Sequence, residues 1–207
     1  MLLLADYERI TQTIKSILDS EGAATAHSCQ FFAMMGAAIL YTHYHIPARP
    51  MFGAAFLLLD EASRDILSYG RFEGDSARSD PDHYHAWVDT QEYVIDFMAP
   101  LYQDAMRSKG YKKDVPRWML QRHKSTIADS PFSLRRKGDC HFQENSTLSK
   151  HMVNYYLNEA MYRDLIEIST QWFRKPPEIM RSLETRSLKN VVRRTHLDQL
   201  AVTGTWK

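Results

Sequence analysis

The sequence predicts an α+β fold, with helices packed on an antiparallel sheet. Three observations carry this: two helical stretches open the chain, a run of strand-like segments follows from Met51, and a long helical pattern closes it. The 207 residues suit a single domain.

Residues 3–20 place Leu4, Tyr7, Ile10, Ile14, Ile17 and Leu18 at helical spacing, and Gly22 is a natural stop. A second helix begins near His27 or Ser28, with Ser28 as N-cap, and Pro47 forbids its continuation past Ile46. Residues 51–59 and 65–72 read as strands separated by the polar "DEASR". "EGDSARSDPD", residues 73–82, reads as a loop by its Gly, Pro, Asp and Ser content. Residues 84–88 and 93–97 form two more strands, and Pro100 to Lys109 a helix that ends at Gly110. The region 111–146 is mixed, with "DCHFQ" as a further strand. Residues 147–173 give the longest helical pattern, capped by Ser146 or Thr147 and ended by Pro176-Pro177. Residues 176–194 read as another helix, so 147–200 is expected to be a helical C-terminal extension.

The 26 basic and 25 acidic side chains nearly cancel, which gives no electrostatic argument for nucleic acid or an anionic membrane as partner. Two cysteines, Cys29 and Cys140, are too few for a disulfide scaffold. The opening "MLLLADYERI" lacks a basic n-region, and no apolar run approaches the length of a membrane span. A cytoplasmic protein without a cofactor is the expectation.

"HYHAWVDTQEYVID", residues 83–96, carries the chemistry. If Val88 faces Tyr93 across a short turn, the register pairs Trp87 with Val94 and His85 with Asp96. Directly opposed residues share a face with Cβ atoms about 4.5–5.5 Å apart, within hydrogen-bonding reach for an imidazole and a carboxylate. A His held by an Asp has a fixed tautomer and serves as general base or acid. Cys29, just inside a helix start, sits where unpaired N–H groups and the helix dipole favour a thiolate and can donate to an oxyanion. Cys29, His85 and Asp96 would then form a nucleophilic triad in chain order. Gln30 and His27 are candidate contributors to the oxyanion hole. His83 and Trp87 are candidate cleft residues, although Trp87 is most simply core.

"HSCQFFAMMGAAILYTHYHIPARPMFG" resembles the core of the transglutaminase-like thiol enzymes. Cys29, Ala33, Ile46, Pro47, Ala48, Arg49 and Gly53 match that family's nucleophile helix, its Ile-Pro-Ala-Arg and its following strand. His85, Ala86, Trp87, Val88 and Asp96 match its His-Ala-Trp-Val element and the Asp that closes the next strand. The resemblance covers roughly residues 27–100 and is similar to a bacterial family of unknown function within that superfamily. It implies a papain-like core with Cys29 as nucleophile, His85 as base and acid, and Asp96 as orienting group. There are departures: His27 and His45 stand where that family usually has glycine. The implied function is a thiol hydrolase or acyltransferase acting on an amide or thioester of a small molecule or peptide. The helical C-terminal half would cover the cleft or make a homo-oligomer contact.

Two other classes compete. His43, His45, His83 and His85, in two "HYH" triplets, could be metal ligands, since residues i and i+2 of a strand share a face. A binding module could also retain the fold without catalysis. Cys140 beside His141 is not a dyad by itself, because adjacent strand residues face opposite sides. A Cys29–Cys140 disulfide is a further reading, and needs an oxidising compartment or a redox-sensing role.

Overall fold

The computed structural model describes residues 1–73, 76–187 and 189–207. It is a mixed α+β structure. Helix α1 spans Leu4–Ser20 and buries Tyr7, Ile10, Ile14, Ile17 and Leu18, the stripe that its periodicity predicts. Helix α2 spans Cys29–Tyr44. Its buried residues lie all round, from Phe32 and Ala33 to Ile39 and Leu40, because it is wrapped by the sheet, α1 and a C-terminal helix. Ser28 is its N-cap residue but does not cap with its side chain; the hydroxyl instead donates to Ala24 O at 3.1 Å. His45 ends the helix in the left-handed conformation (φ 55°), directly before Ile46-Pro47.

Strand β1, Ala48–Asp60, is the spine of the sheet. It is followed by β2 (Asp65–Tyr69), the short pair β3 (Arg71–Glu73) and β4 (Ser76–Arg78), then β5 (His85–Thr90) and β6 (Tyr93–Asp96). Helix α3 (Tyr102–Ser108), strands β7 (Trp118–His123) and β8 (Cys140–Glu144), and helices α4 (Ser146–Asn158) and α5 (Ala160–Trp172) come next. Strands β9 (Ser182–Arg186), β10 (Val192–His196) and β11 (Gly204–Thr205) close the chain. The main sheet has seven strands in the order β11-β7-β6-β5-β1-β2, with β8 also pairing β1. All its pairs are antiparallel except β11 with β7, so the sheet is mixed.

The pairings of β1 decide where chemistry can occur. Gly53 pairs with both His85 and Glu144, and Ala55 with both Tyr69 and Phe142. A residue has only two edges, so β8 occupies one, while β5 and β2 share the other end to end. The start of β5 and the end of β2 therefore meet beside Ala54, and the chain between them leaves the sheet. Directly opposed residues share a face. His85 and Tyr69 consequently stand next to each other on the face of Gly53 and Ala55. Gly53 is needed there: a Cβ would lie 2.0 Å from the backbone O of Gln143 and 2.9 Å from the Trp87 ring. Gly53→Ala is expected to cost about 1–3 kcal/mol by overpacking, measured by urea unfolding.

Several expectations need correction. The β5–β6 register pairs Val88 with Ile95 and Asp89 with Val94, two residues away from the register predicted. An even slip keeps every side chain on its face, which is why the His85–Asp96 contact survives it. The long helix is two helices, broken at Glu159 (φ −83°, ψ 118°), and its cap is Asn145, whose side chain accepts from Leu148 N at 3.0 Å. Residues 176–194 are not a helix: β9 and β10 pair as an antiparallel hairpin, with Asn190 left-handed at its turn (φ 62°). The helical part of the C-terminal extension thus ends at Trp172. Leu188 of that predicted helix lies outside the described residues. The predicted loop 73–82 carries β4, and its Gly74 and Asp75 lie outside the described residues. Among the described residues, no helix is long and apolar enough to cross a membrane.

Candidate active site

Asp96 closes β6 with 1% of its surface exposed, and both of its carboxylate oxygens are used. Oδ1 accepts the Met98 backbone N–H at 2.9 Å, while Oδ2 accepts from the Tyr102 hydroxyl and faces His85 Nε2 at 2.5 Å. Helix α1 secures the same corner: the Tyr7 hydroxyl donates to Asp96 O, and that of Thr11 to Phe97 O at 3.1 Å. A buried carboxylate is tolerable only with such partners.

His85 is fully buried. With Nε2–H directed at the carboxylate, Nδ1 becomes the open side of the ring. That nitrogen is buried and has no hydrogen-bond partner among the described residues. Burial would lower the His85 pKa, but the charge and hydrogen bond of Asp96, and after them Cys29, hold it well above its usual 6.5. Cys29 is thus a near neighbour of His85.

Cys29 is the first residue of α2, and the helix lies across β1 and β5. Its N-terminus consequently arrives at the junction between the start of β5 and the end of β2. The thiol donates to Gln30 Oε1 at 3.6 Å. Gln30 therefore shows its acceptor to the sulfur, and its amide would have to turn before it could donate to an oxyanion. Among the described residues no backbone acceptor takes the Cys29 or Gln30 N–H, as expected for a helix start.

Cys29 opens on a cleft of about 260 Å³ whose lining includes His27, Gln30, Tyr69, Asp82, His83 and Lys109. His27 Nε2 is 3.0 Å from Ser108 Oγ at the rim. His83 is tied to Asp80 Oδ1 at 3.0 Å and to the Arg71 guanidinium at 3.2 Å. Trp87 is a correction: it is buried with Met51 and Val94, its ring 5.0 Å from that of Phe142, and it does not line this cleft. The metal-ligand set is not assembled either. His43 bonds Thr170 O at 2.7 Å, and His45 lies at the opposite end of α2 from Cys29, about 24 Å away along the helix. No group of three His, Cys, Asp or Glu side chains placed to hold a metal occurs among the described residues. Cys29 and Cys140 are both free thiols, and burial pushes that of Cys140 up to about 11.

Sequence reasoning missed the tyrosines. Tyr69 stacks on His85 with ring centroids 4.4 Å apart and planes within 20°. Tyr102 supports Asp96, and Tyr84 lines the same cleft as Cys29. Nothing in their spacing marks them, since each arrives from a different element.

These features define an α+β protein with a Cys–His–Asp cluster at the N-terminus of its buried central helix. The chain belongs to the family described as "Protein of unknown function (DUF2026)", whose profile matches residues 3–206. It is also similar to a solved structure described as "The crystal structure of genomics APC5867", with 28% identity and a TM-score of 0.85. That similarity covers 99% of this chain and 97% of the other. No curated protein matches.

Proposed function

We propose that this protein is a thiol enzyme of the transglutaminase-like, papain-like kind that transfers or hydrolyses an acyl group. The observation that carries the reading is His85: fully buried, bound to Asp96 through Nε2, with Nδ1 unpartnered and Cys29 beside it. A structural histidine would use both nitrogens, because a buried polar atom without a partner costs about 1–3 kcal/mol. Here the unpartnered nitrogen is the one free to carry a proton between Cys29, the leaving group and the second nucleophile.

In the first half-reaction Cys29 passes its thiol proton to His85 Nδ1, and its sulfur attacks an amide or thioester carbonyl carbon. The carbonyl electron pair moves to oxygen, where the free N–H groups at the start of α2 can receive it. The intermediate collapses, the carbon–nitrogen or carbon–sulfur bond breaks, and His85 Nδ1 gives its proton to the leaving group. A second nucleophile, water or an amine, then loses its proton to His85 as it attacks the thioester, the carbon–sulfur bond to Cys29 breaks, and the sulfur takes that proton back. The cleft is small and polar at its rim, which suits a small molecule or one side chain of a peptide.

Alkylation tests this reading. Iodoacetamide is expected to modify Cys29 in the folded protein and to spare Cys140, whose thiol is buried and held protonated. His85→Ala is expected to slow Cys29 alkylation by roughly 10²-fold or more, at the lower end of what a positioned base contributes. Peptide mass analysis reads both sites. Alkylation at the wild-type rate in a folded His85→Ala variant would leave a binding module instead.

A further inference from the structure

We infer that the Tyr69 hydroxyl is a catalytic hydrogen-bond donor to the oxyanion that forms when Cys29 is acylated. The inference rests on the thiol-enzyme reading above and adds a residue to it. Near Cys29, His85 Nδ1 and the Tyr69 hydroxyl are buried polar atoms that lack partners among the described residues. The first is the proton carrier. The second is a donor with no acceptor among the described residues, on a residue that lines the same cleft as Cys29.

The strand register explains how it comes to be there. Tyr69 is the last residue of β2 and His85 the first of β5, opposite Ala55 and Gly53 on one edge of β1. The stacked rings share a face, and the end of α2 arrives at the same junction. Burial raises the Tyr69 pKa far above its usual value, so the hydroxyl keeps its proton at neutral pH. An unpaired buried hydroxyl costs stability unless something later fills it. The acceptor that arrives with every acyl substrate is the carbonyl oxygen, and its demand for a donor peaks as negative charge collects there.

Two reagents separate this role from that of His85. With p-nitrophenyl acetate, the Cys29 sulfur bonds to the acyl carbon, the carbonyl oxygen becomes transiently anionic, and p-nitrophenolate leaves with the electron pair of the broken ester bond. Iodoacetamide instead reacts at a saturated carbon, expels iodide, and forms no oxyanion. Tyr69→Phe keeps the stacked ring and removes only the hydroxyl. The expected result is an acetylation rate about 10²-fold lower, with alkylation changed less than about twofold. Its thermal midpoint should equal or exceed that of the wild type, because an unsatisfied buried group has gone. Tyr69→Leu, which removes ring and hydroxyl together, should lose at least as much acetylation.

Unchanged acetylation in either variant overturns the assignment and leaves the thiol reading standing. Equal losses of acetylation and alkylation in Tyr69→Phe would make Tyr69 a support for His85, which also overturns it. A wild-type Cys29 inert to both reagents overturns both readings together.

Discussion

Asp96→Ala is expected to lower the acetylation rate of Cys29 at neutral pH by roughly 10²–10⁴-fold, the range a positioned base contributes. It is also expected to destabilise the fold by about 3 kcal/mol, the lower end of what breaking a buried ion pair costs. Both effects have one origin. Among the described residues the carboxylate is the only group placed against His85 Nε2 apart from the Tyr102 hydroxyl at 3.4 Å, and it also receives that hydroxyl and the Met98 N–H. Alanine removes the acceptor for all three and leaves His85 free to turn. Urea unfolding measures the stability, and p-nitrophenolate release measures the chemistry. Full acetylation in a destabilised variant would show that the pair braces the fold without serving the thiol.

The second large effect is on pH dependence. Folded His85 is held up to about 10, against 6.5 for an ordinary imidazole, so the folded state binds that proton more tightly than the unfolded state. A raised pKa gives stability that is complete below the unfolded value and is lost as pH rises through the folded one. The window therefore runs from pH 6.5 to about 10. In Asp96→Asn, burial persists without the opposing charge, and the imidazole stays neutral. The stability gap between wild type and Asp96→Asn should be a few kcal/mol near pH 6 and should narrow towards pH 10. Urea titrations across that range read it directly. A gap that does not change with pH would mean that His85 is neutral in the folded wild type as well.

Much of the fold was legible because local chemistry is strong in those segments. The α1 stripe, the halt before Pro47 and the alternation around residues 85–96 each reflect periodicity or a backbone restriction that neighbours cannot override. Illegible regions had weak local preference. Strands β9 and β10 hold no fully buried residues, so helix and hairpin differ little until the chain docks on α1. Strand β7 was hidden because its sequence, "WMLQRH", alternates poorly, although four of its six residues are buried.

The sequence by itself determined which residue types are available for chemistry and where three of them sit locally: a cysteine at a helix start, and a histidine and an aspartate on the paired strands of one hairpin. Those are short-range facts, set by caps, prolines and strand period. Only the tertiary structure decided that the three meet, that Trp87 turns away, and that Tyr69 and Tyr102 join them. Each of those outcomes depends on register along β1, where β2 and β5 share one edge and α2 crosses their junction. Register is settled by the sum of many weak contacts between distant segments, which no local pattern encodes.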